Sequence, residues 1–271
     1  MSEHDRRIVA ERAAQAGAEV AHAAFRRALE VETKANAMDL VTDADRNAQA
    51  AVLDVLRDAD PDATVIAEED ETSSTVPEEG AAWIVDPIDG TRNFVAGSRL
   101  WTTSVAAVVD AEPVAAATLM PAYGDDYALG PEGVTRGGAP VTTSEHDDPM
   151  SLAVAPLGWW PGADRAELGD LLVVLAEGFG DLRRLGSAQA ALAMVASGEL
   201  DAAVSTRRLA PWDSIAGAAL IERAGGRVTD LDGTRWRHDT VGLLATNGAC
   251  HEAAIDALEP VRSSGSPGPE S

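Results

Sequence analysis

The sequence predicts a layered protein of mixed class, α+β in its first half and α/β in its second, and three observations predict it. Alanine-rich stretches with helical periodicity lead the chain, short β-type runs joined by tight turns follow, and strand-like and helix-like stretches then alternate. The 271 residues, 45% of them hydrophobic, can bury a substantial core and suffice for two modest domains that share an interface. Aromatic residues make up only 4%, so that core has to be assembled from many small side chains, chiefly Ala and Val.

From Asp5 to Glu32, Ile8, Val9, Ala13, Ala16, Val20, Ala24 and Leu29 recur at helical spacing, interrupted by Gly17, which predicts one long amphipathic helix. A second helix is expected from Thr42, the N-cap candidate, to Arg57, with Val52 and either Val55 or Leu56 facing inward and Asp60-Pro61-Asp62 ending it. Strands are expected at 63–67, 81–86, 103–109, 113–119 and 126–129, with a hairpin joint at Val109-Asp110-Ala111-Glu112-Pro113. Short connections between consecutive strands suggest an antiparallel sheet covered by the two helices, so residues 1–138 read as an α+β domain carrying the candidate metal-binding loops.

After a turn-rich stretch, 130–149, strands are expected at 151–155, 201–205, 227–229 and 242–245, with helices at 165–178, 188–197 and 214–224. Residues 139–262 therefore read as an α/β domain. The tail 263–271 is Ser, Gly and Pro without an apolar anchor, and disorder is expected there.

With 45 acidic against 21 basic residues, the net charge is -24. Such a field repels nucleic acid and anionic membrane surfaces. The acids are scattered rather than gathered in a tail, a pattern that suits a salt-rich, halophilic setting, where screening weakens self-repulsion. One cysteine, Cys250, forms no internal disulfide and suits a reducing cytoplasm; no signal core and no membrane-length apolar run is present. Lys34 is the only lysine. It is either a compositional survivor or a compact ammonium with a particular task.

The densest chemical signal is Trp83-Ile84-Val85-Asp86-Pro87-Ile88-Asp89-Gly90-Thr91, an apolar strand that ends in two carboxylates. Pro87 stiffens the exit, Gly90 permits close backbone approach, and Thr91 offers a hydroxyl and an amide suited to phosphate oxygens. An Asp-Gly turn after a strand explains the same letters. Two further segments tip the balance: Val65-Ile66-Ala67-Glu68-Glu69, another β run ending in carboxylates, and Trp212-Asp213-Ser214, where Asp213 also reads as a plain helix N-cap. Hard cations such as Mg²⁺ require oxygen ligands, and clustered carboxylates without a cation repel one another. No His/Cys grouping has zinc spacing, and no Gly-x-Ser-x-Gly elbow occurs.

On these residues the chain resembles the inositol monophosphatase family. Asp86-Pro87-Ile88-Asp89-Gly90-Thr91 is similar to its first signature. Trp212-Asp213-Ser214-Ile215-Ala216-Gly217, followed by Glu222-Arg223-Ala224-Gly225-Gly226, is similar to its second. Lys34, Asp39-Leu40-Val41-Thr42, Asp45 and Glu68-Glu69 match in order and spacing, so the likeness runs from about Glu19 to Leu258.

The resemblance implies a layered αβαβα sandwich of the inositol monophosphatase and fructose-1,6-bisphosphatase type, and a phosphomonoester hydrolase that uses two or three Mg²⁺ ions and a water nucleophile. Glu68, Asp86 and the Ile88 carbonyl would hold one ion; Asp86, Asp89 and Asp213 a second; Glu68 a weaker third. Thr91 with Asp45 would orient the water, Glu68 would support it, and Lys34 would moderate the negative charge. Thr42-x-x-Asp45 equally reads as a capping box. Gly90 and Thr91 amides would receive the phosphate beside Asp89, while Gly186, Ser187, Ala188 and Asp213 would face substrate; Gly186-Ser187 also reads as a helix-opening cap.

The family's inositol-binding glutamate is replaced around Ser205-Thr206-Arg207-Arg208, which opens the question of substrate. Inositol 1-phosphate or a related sugar phosphate is the first expectation, and fructose 1,6-bisphosphate or histidinol phosphate the alternative, with Arg207 and Arg208 as readers of a second anion or as ordinary surface charges. Trp159 and Trp160 would either narrow the pocket or be buried at a contact. A noncatalytic metal- or ligand-binding regulator is the competing class. Lithium inhibition and a homodimer complete what the resemblance implies.

Overall fold

The computed structural model describes residues 1–27, 31–33, 40–70, 75–158 and 165–264. Lys34, Trp159, Trp160 and the tail 265–271 lie outside the described residues. The chain opens with α1 (Glu3–Ala24), capped by Ser2 and Asp5 in a reciprocal capping box. This helix ends eight residues before the expected Glu32: Phe25 closes it, Arg26 takes a left-handed φ of 59°, and β1 (Val31–Thr33) pairs antiparallel with β2 (Leu40–Thr42). The second helix, α2 (Asp43–Ala59), starts from Thr42 and buries Val52 and Leu56.

The first sheet has seven strands in the order β3 (Thr64–Ala67), β4 (Ala81–Asp89), β5 (Thr102–Val109), β6 (Glu112–Met120), β7 (Asp125–Gly130), β8 (Gly133–Arg136) and β9 (Ala139–Pro140), and the short helix α3 (Thr91–Val95) leads from β4 toward β5. It departs from the expected antiparallel pattern in one place, since β3 and β4 run parallel. The stretch read as turn-rich after Gly130 contains β8 and β9, and the expected boundary at residue 138/139 falls inside their hairpin, where Arg136 pairs with Ala139. Short strands full of Gly and polar residues carry little alternation, which is why they escape a pattern reading. The β5–β6 joint is a two-residue hairpin in which Asp110 and Ala111 both take positive φ, 52° and 61°, the twist-matched turn for antiparallel strands.

The second sheet runs β11 (Asp181–Leu182), β10 (Ala153–Pro156), β12 (Ala202–Ser205), β14 (Leu243–Thr246), β13 (Arg227–Thr229). A 3-10 turn at Pro149–Ser151 replaces the expected first residues of β10. Helices α4 (Arg165–Gly178), α7 (His251–Ala257) and α8 (Glu259–Ser264) accompany it, and α8 carries regular structure two residues into the segment expected to be disordered.

Strand alternation builds the layers. Trp83, Val85, Val105 and Ala107 face α1 and α2, whereas Ala82, Ile84, Ala106 and Val108 face the opposite side. There they meet α5 (Ala188–Ala196) and α6 (Pro211–Arg223), which also pack on Ala155, Ala203 and Ala245 of the second sheet. Ala202, Val204 and Leu244 turn the other way, onto α4 and α7. The order is therefore helix, sheet, helix, sheet, helix, with α5 and α6 shared by both sheets. Ala-rich α5 lets those sheets approach closely, and Gly217 of α6 sits where a Cβ would lie 2.3 Å from Leu192 Cβ.

Candidate active site

Asp86 and Asp89 stand three apart on β4, and on a regular strand residues three apart point to opposite faces. The ladder shows how both come to one side. Asp86 pairs with Ser104 and Asp89 with Thr102, so three steps on β4 oppose two on β5, a β-bulge that re-aims the strand end. The strand thus continues through the Pro87 turn expected from sequence. Pro87 has no N–H to donate to the ladder, and its carbonyl accepts instead from the Thr103 hydroxyl at 2.8 Å.

Asp213 reaches the same place from α6. It is the third residue of that helix, not its N-cap; the cap is Ala210, with Pro211 at the first helical position. Carboxylate oxygens of Asp86, Asp89 and Asp213 lie within 4.8 Å of one another, and the three residues are 1%, 2% and 7% exposed. Glu68, half-buried after β3, adds a fourth charge beside Asp86. Burial first, then Glu68, Asp89 and Asp213, pushes the Asp86 carboxyl well above the ordinary carboxylate range. Among the described residues, neither Asp86 oxygen has a hydrogen-bond partner, although both are buried.

Asp89 is held differently. Its Oδ2 accepts from the Ser187 hydroxyl at 2.5 Å and from the Gln189 N–H at 2.6 Å, at the start of α5. Burial pushes its pKa up, and these bonds pull against that shift. Ser187 also accepts from Ala190 N–H at 3.1 Å, so the helix-cap reading and the site reading of Gly186-Ser187 coexist.

Asp45 is fully buried and serves two neighbours. Its Oδ2 accepts from the Thr42 N–H at 2.8 Å and the Thr42 hydroxyl at 2.6 Å, and its Oδ1 lies 3.2 Å from the Thr91 hydroxyl. The Ile88 carbonyl shares that Thr91 hydroxyl at 3.1 Å. The capping box and the contact to the motif are therefore made by opposite oxygens of one carboxylate. Gly90 takes φ 93°, and a Cβ there would lie 3.1 Å from the Leu100 carbonyl and 3.2 Å from that of Gly186, so glycine is required.

Above the carboxylates opens a cavity of about 330 Å³, whose lining includes Asp213, Gly186, Ser187 and Ala188. Arg92 and Arg184 also line it, and sequence reasoning missed both. The available signal was their position beside the two motifs, one residue after Thr91 and two before Gly186. Arg207 is not in the lining and instead pairs with Glu167 at 2.8 Å, while Thr206 donates to the same carboxylate at 2.7 Å. That geometry answers the expectation for Arg207: its partner is α4.

A divalent cation fits the donor set. Octahedral Mg²⁺ oxygens sit about 2.1 Å from the ion and hence up to about 4.2 Å apart, and those of Ca²⁺ up to about 5 Å, close to the observed span. Like charges about 4 Å apart repel by roughly 4 kcal/mol per pair at an effective dielectric of about 20, and a cation turns this repulsion into attraction.

The sequence profile of the inositol monophosphatase family matches residues 3–263. A protein of Thermotoga maritima named fructose-1,6-bisphosphatase/inositol-1-monophosphatase is 32% identical over 233 residues, covering 85% of this chain and 87% of its own. An inositol-1-monophosphatase of Bacillus subtilis is 29% identical over 244 residues, 89% of this chain and 91% of its own. Among solved structures, the IMPase of Thermotoga maritima has a TM-score of 0.84 at 27% identity, covering 94% of this chain and 96% of that one.

Proposed function

The chain belongs to the inositol monophosphatase family, whose members are metal-dependent phosphomonoester hydrolases, and from that premise we propose that it hydrolyses a small phosphorylated polyol or sugar, with inositol 1-phosphate as the first substrate to test. The observation that carries this reading is the convergence of three buried carboxylates, one of which, Asp213, lines a cavity, with the Asp86 oxygens lacking partners among the described residues.

In this proposal Glu68, Asp86, Asp89, Asp213 and the Ile88 carbonyl hold two or three Mg²⁺ ions. Bound there, the ions supply Lewis-acid stabilisation of charge on the phosphoryl oxygens and a lowered pKa for water. The protein's own groups do the rest. Thr91 donates toward Asp45 Oδ1, which leaves its oxygen lone pairs to accept from a water and aim it at phosphorus. Asp45 is gripped from behind by Thr42, so it receives that proton density without moving. Backbone N–H groups of Gly90 and Thr91 receive the phosphate, and Ser187 holds Asp89 so that its other oxygen faces the cluster. Gly186, Ser187, Ala188 and Asp213 face the departing alcohol. Lys34 is proposed to offset the negative charge. A cytoplasmic homodimer completes the proposal, and its mass in solution is read by light scattering.

Release of inorganic phosphate from inositol 1-phosphate, fructose 1,6-bisphosphate and histidinol phosphate, with Mg²⁺ and with excess EDTA, tests the reading. Turnover of at least one ester is expected with Mg²⁺ and none with EDTA. Asp89→Asn is expected to lose at least about a hundredfold in kcat, the scale of removing one transition-state contact, while keeping the wild-type circular dichroism. Full activity in EDTA, or in Asp89→Asn, would overturn it.

A further inference from the structure

Arg92 and Arg184 come from segments 92 residues apart, and one side chain brings them together. The Asn93 amide donates to the Leu185 carbonyl at 2.8 Å and to the Leu100 carbonyl at 2.6 Å, using both of its N–H groups. Gly186, at φ 80°, packs so closely on that amide that a Cβ would lie 3.1 Å from Asn93 Nδ2. The short helix α3 that follows β4 and the loop before α5 are thereby stapled, with Arg92 and Arg184 each one position before the stapled residues Asn93 and Leu185. Both line the cavity above the carboxylates.

We propose that Arg92 and Arg184 form a second anion subsite that makes this enzyme prefer a bisphosphorylated sugar or polyol over the matching monophosphate. The proposal rests on the phosphatase reading above and names its substrate class. Arg92 and Arg184 line the same cavity as Asp213, so a substrate whose phosphoryl group sits at the metal-binding carboxylates can offer a second anionic group to the guanidinium pair. Two planar forks side by side match the several oxygens of a phosphoryl dianion better than a single carboxylate or hydroxyl.

Four further observations point the same way. Desolvation, and then the neighbouring charge of Arg92, hold the Arg184 guanidinium below its ordinary value, a repulsion that a bound dianion reverses. The adjacent Arg183 leaves the cavity for an ion pair with Asp181. The cavity, about 330 Å³, is near the lower end of the range for small-molecule sites and suits a sugar phosphate rather than a polymer. In a chain of net charge -24, the lining of this cavity carries two arginines against one acid, Asp213.

The test compares kcat/KM for fructose 1,6-bisphosphate and fructose 1-phosphate in wild type, Arg92→Gln, Arg184→Gln and the double variant, each checked for fold by circular dichroism. Wild type is expected to favour the bisphosphate by roughly ten- to a hundredfold, the range of one or two charge-assisted hydrogen bonds. The ratio is expected to fall in each single variant and to approach one in the double variant. A wild-type ratio at or below one, or a ratio unchanged in the double variant, overturns the subsite while leaving the phosphatase reading intact. If wild type cleaves neither ester, the substrate reading fails separately, and calorimetric titration of fructose 1,6-bisphosphate decides the subsite. Binding at least tenfold weaker in the double variant supports it, and equal binding removes it.

Discussion

His251 illustrates how single residues set the stability of this chain. It is buried beside Cys250, between two threonines that dictate its tautomer. Thr229 Oγ1 gives its proton to the Asp230 carbonyl and so accepts from Nε2–H at 3.0 Å, which leaves Nδ1 to accept from the Thr246 hydroxyl at 2.8 Å. Burial, aided by Arg227, lowers its pKa to about 4. The unfolded chain protonates this ring near pH 6.5 and the folded chain near pH 4, so between those values the unfolded state binds the extra proton. Stability present above pH 6.5 is therefore lost as pH falls toward 4, by at most about 3 kcal/mol. Urea unfolding at pH 7 and pH 4.5 should show a smaller acid loss in His251→Gln than in wild type; equal losses would remove His251 from the acid response. Asp86 works in the opposite sense. Without cations it is a buried charge among carboxylates, so Asp86→Asn should raise the melting temperature in EDTA and abolish the rise that Mg²⁺ gives wild type. A preserved Mg²⁺ shift in that variant would place the ion elsewhere. Asp86, Asp89 and Asp213 were legible as residues because strand-end and helix-start acids stand out against apolar surroundings. Arg92 and Arg184 were not, because an arginine beside a motif looks like any surface charge until its cavity is seen.

At the scale of elements, Gly17 marks where two helices touch. A Cβ at this position of α1 would lie 2.6 Å from Val52 Cγ2 on α2 and 3.1 Å from Thr103 Cγ2 on β5. Alanine gains up to about 1 kcal/mol of helix propensity there, yet overpacking of this kind costs about 1–3 kcal/mol. Gly17→Ala should therefore lower the melting temperature, and Gly17→Ala/Val52→Ala should recover part of the loss relative to Val52→Ala alone. Additive effects would show that the close approach relaxes without cost. Most elements were legible because their apolar period is clear: α2, α4 and β5 begin and end within about two residues of expectation. The overlong first helix was not, since Ala and Leu beyond Ala24 continue the helical pattern while Arg26 turns the chain. The β4 bulge was hidden as well, because a register shift is a property of two strands and is written in neither alone.

For the whole molecule, the dominant long-range term is charge. At -24, self-repulsion opposes the compact state, and a Debye length that shrinks from about 10 Å at 0.1 M to about 3 Å at 1 M removes much of it. Surface ion pairs such as Arg235 with Glu112 at 2.6 Å and Arg136 with Glu199 at 2.6 Å are individually worth about 0–1 kcal/mol and do not offset that excess. Melting temperature should rise between 0.1 M and 2 M KCl, and a flat or falling curve would show that repulsion is not limiting. Among the described residues no helix is long and apolar enough to cross a membrane. By itself the sequence determined the class of the fold, the order of most of its longer helices and strands, and the acids Asp86, Asp89 and Asp213 that gather at the site, because local periodicity and residue chemistry are carried by neighbours in the chain. Only the tertiary structure decided that α5 and α6 serve both sheets, that a bulge turns Asp86 and Asp89 to one side, and that Asn93 staples Arg92 beside Arg184. Those are contacts between segments tens of residues apart, and their geometry exists only once both partners are packed.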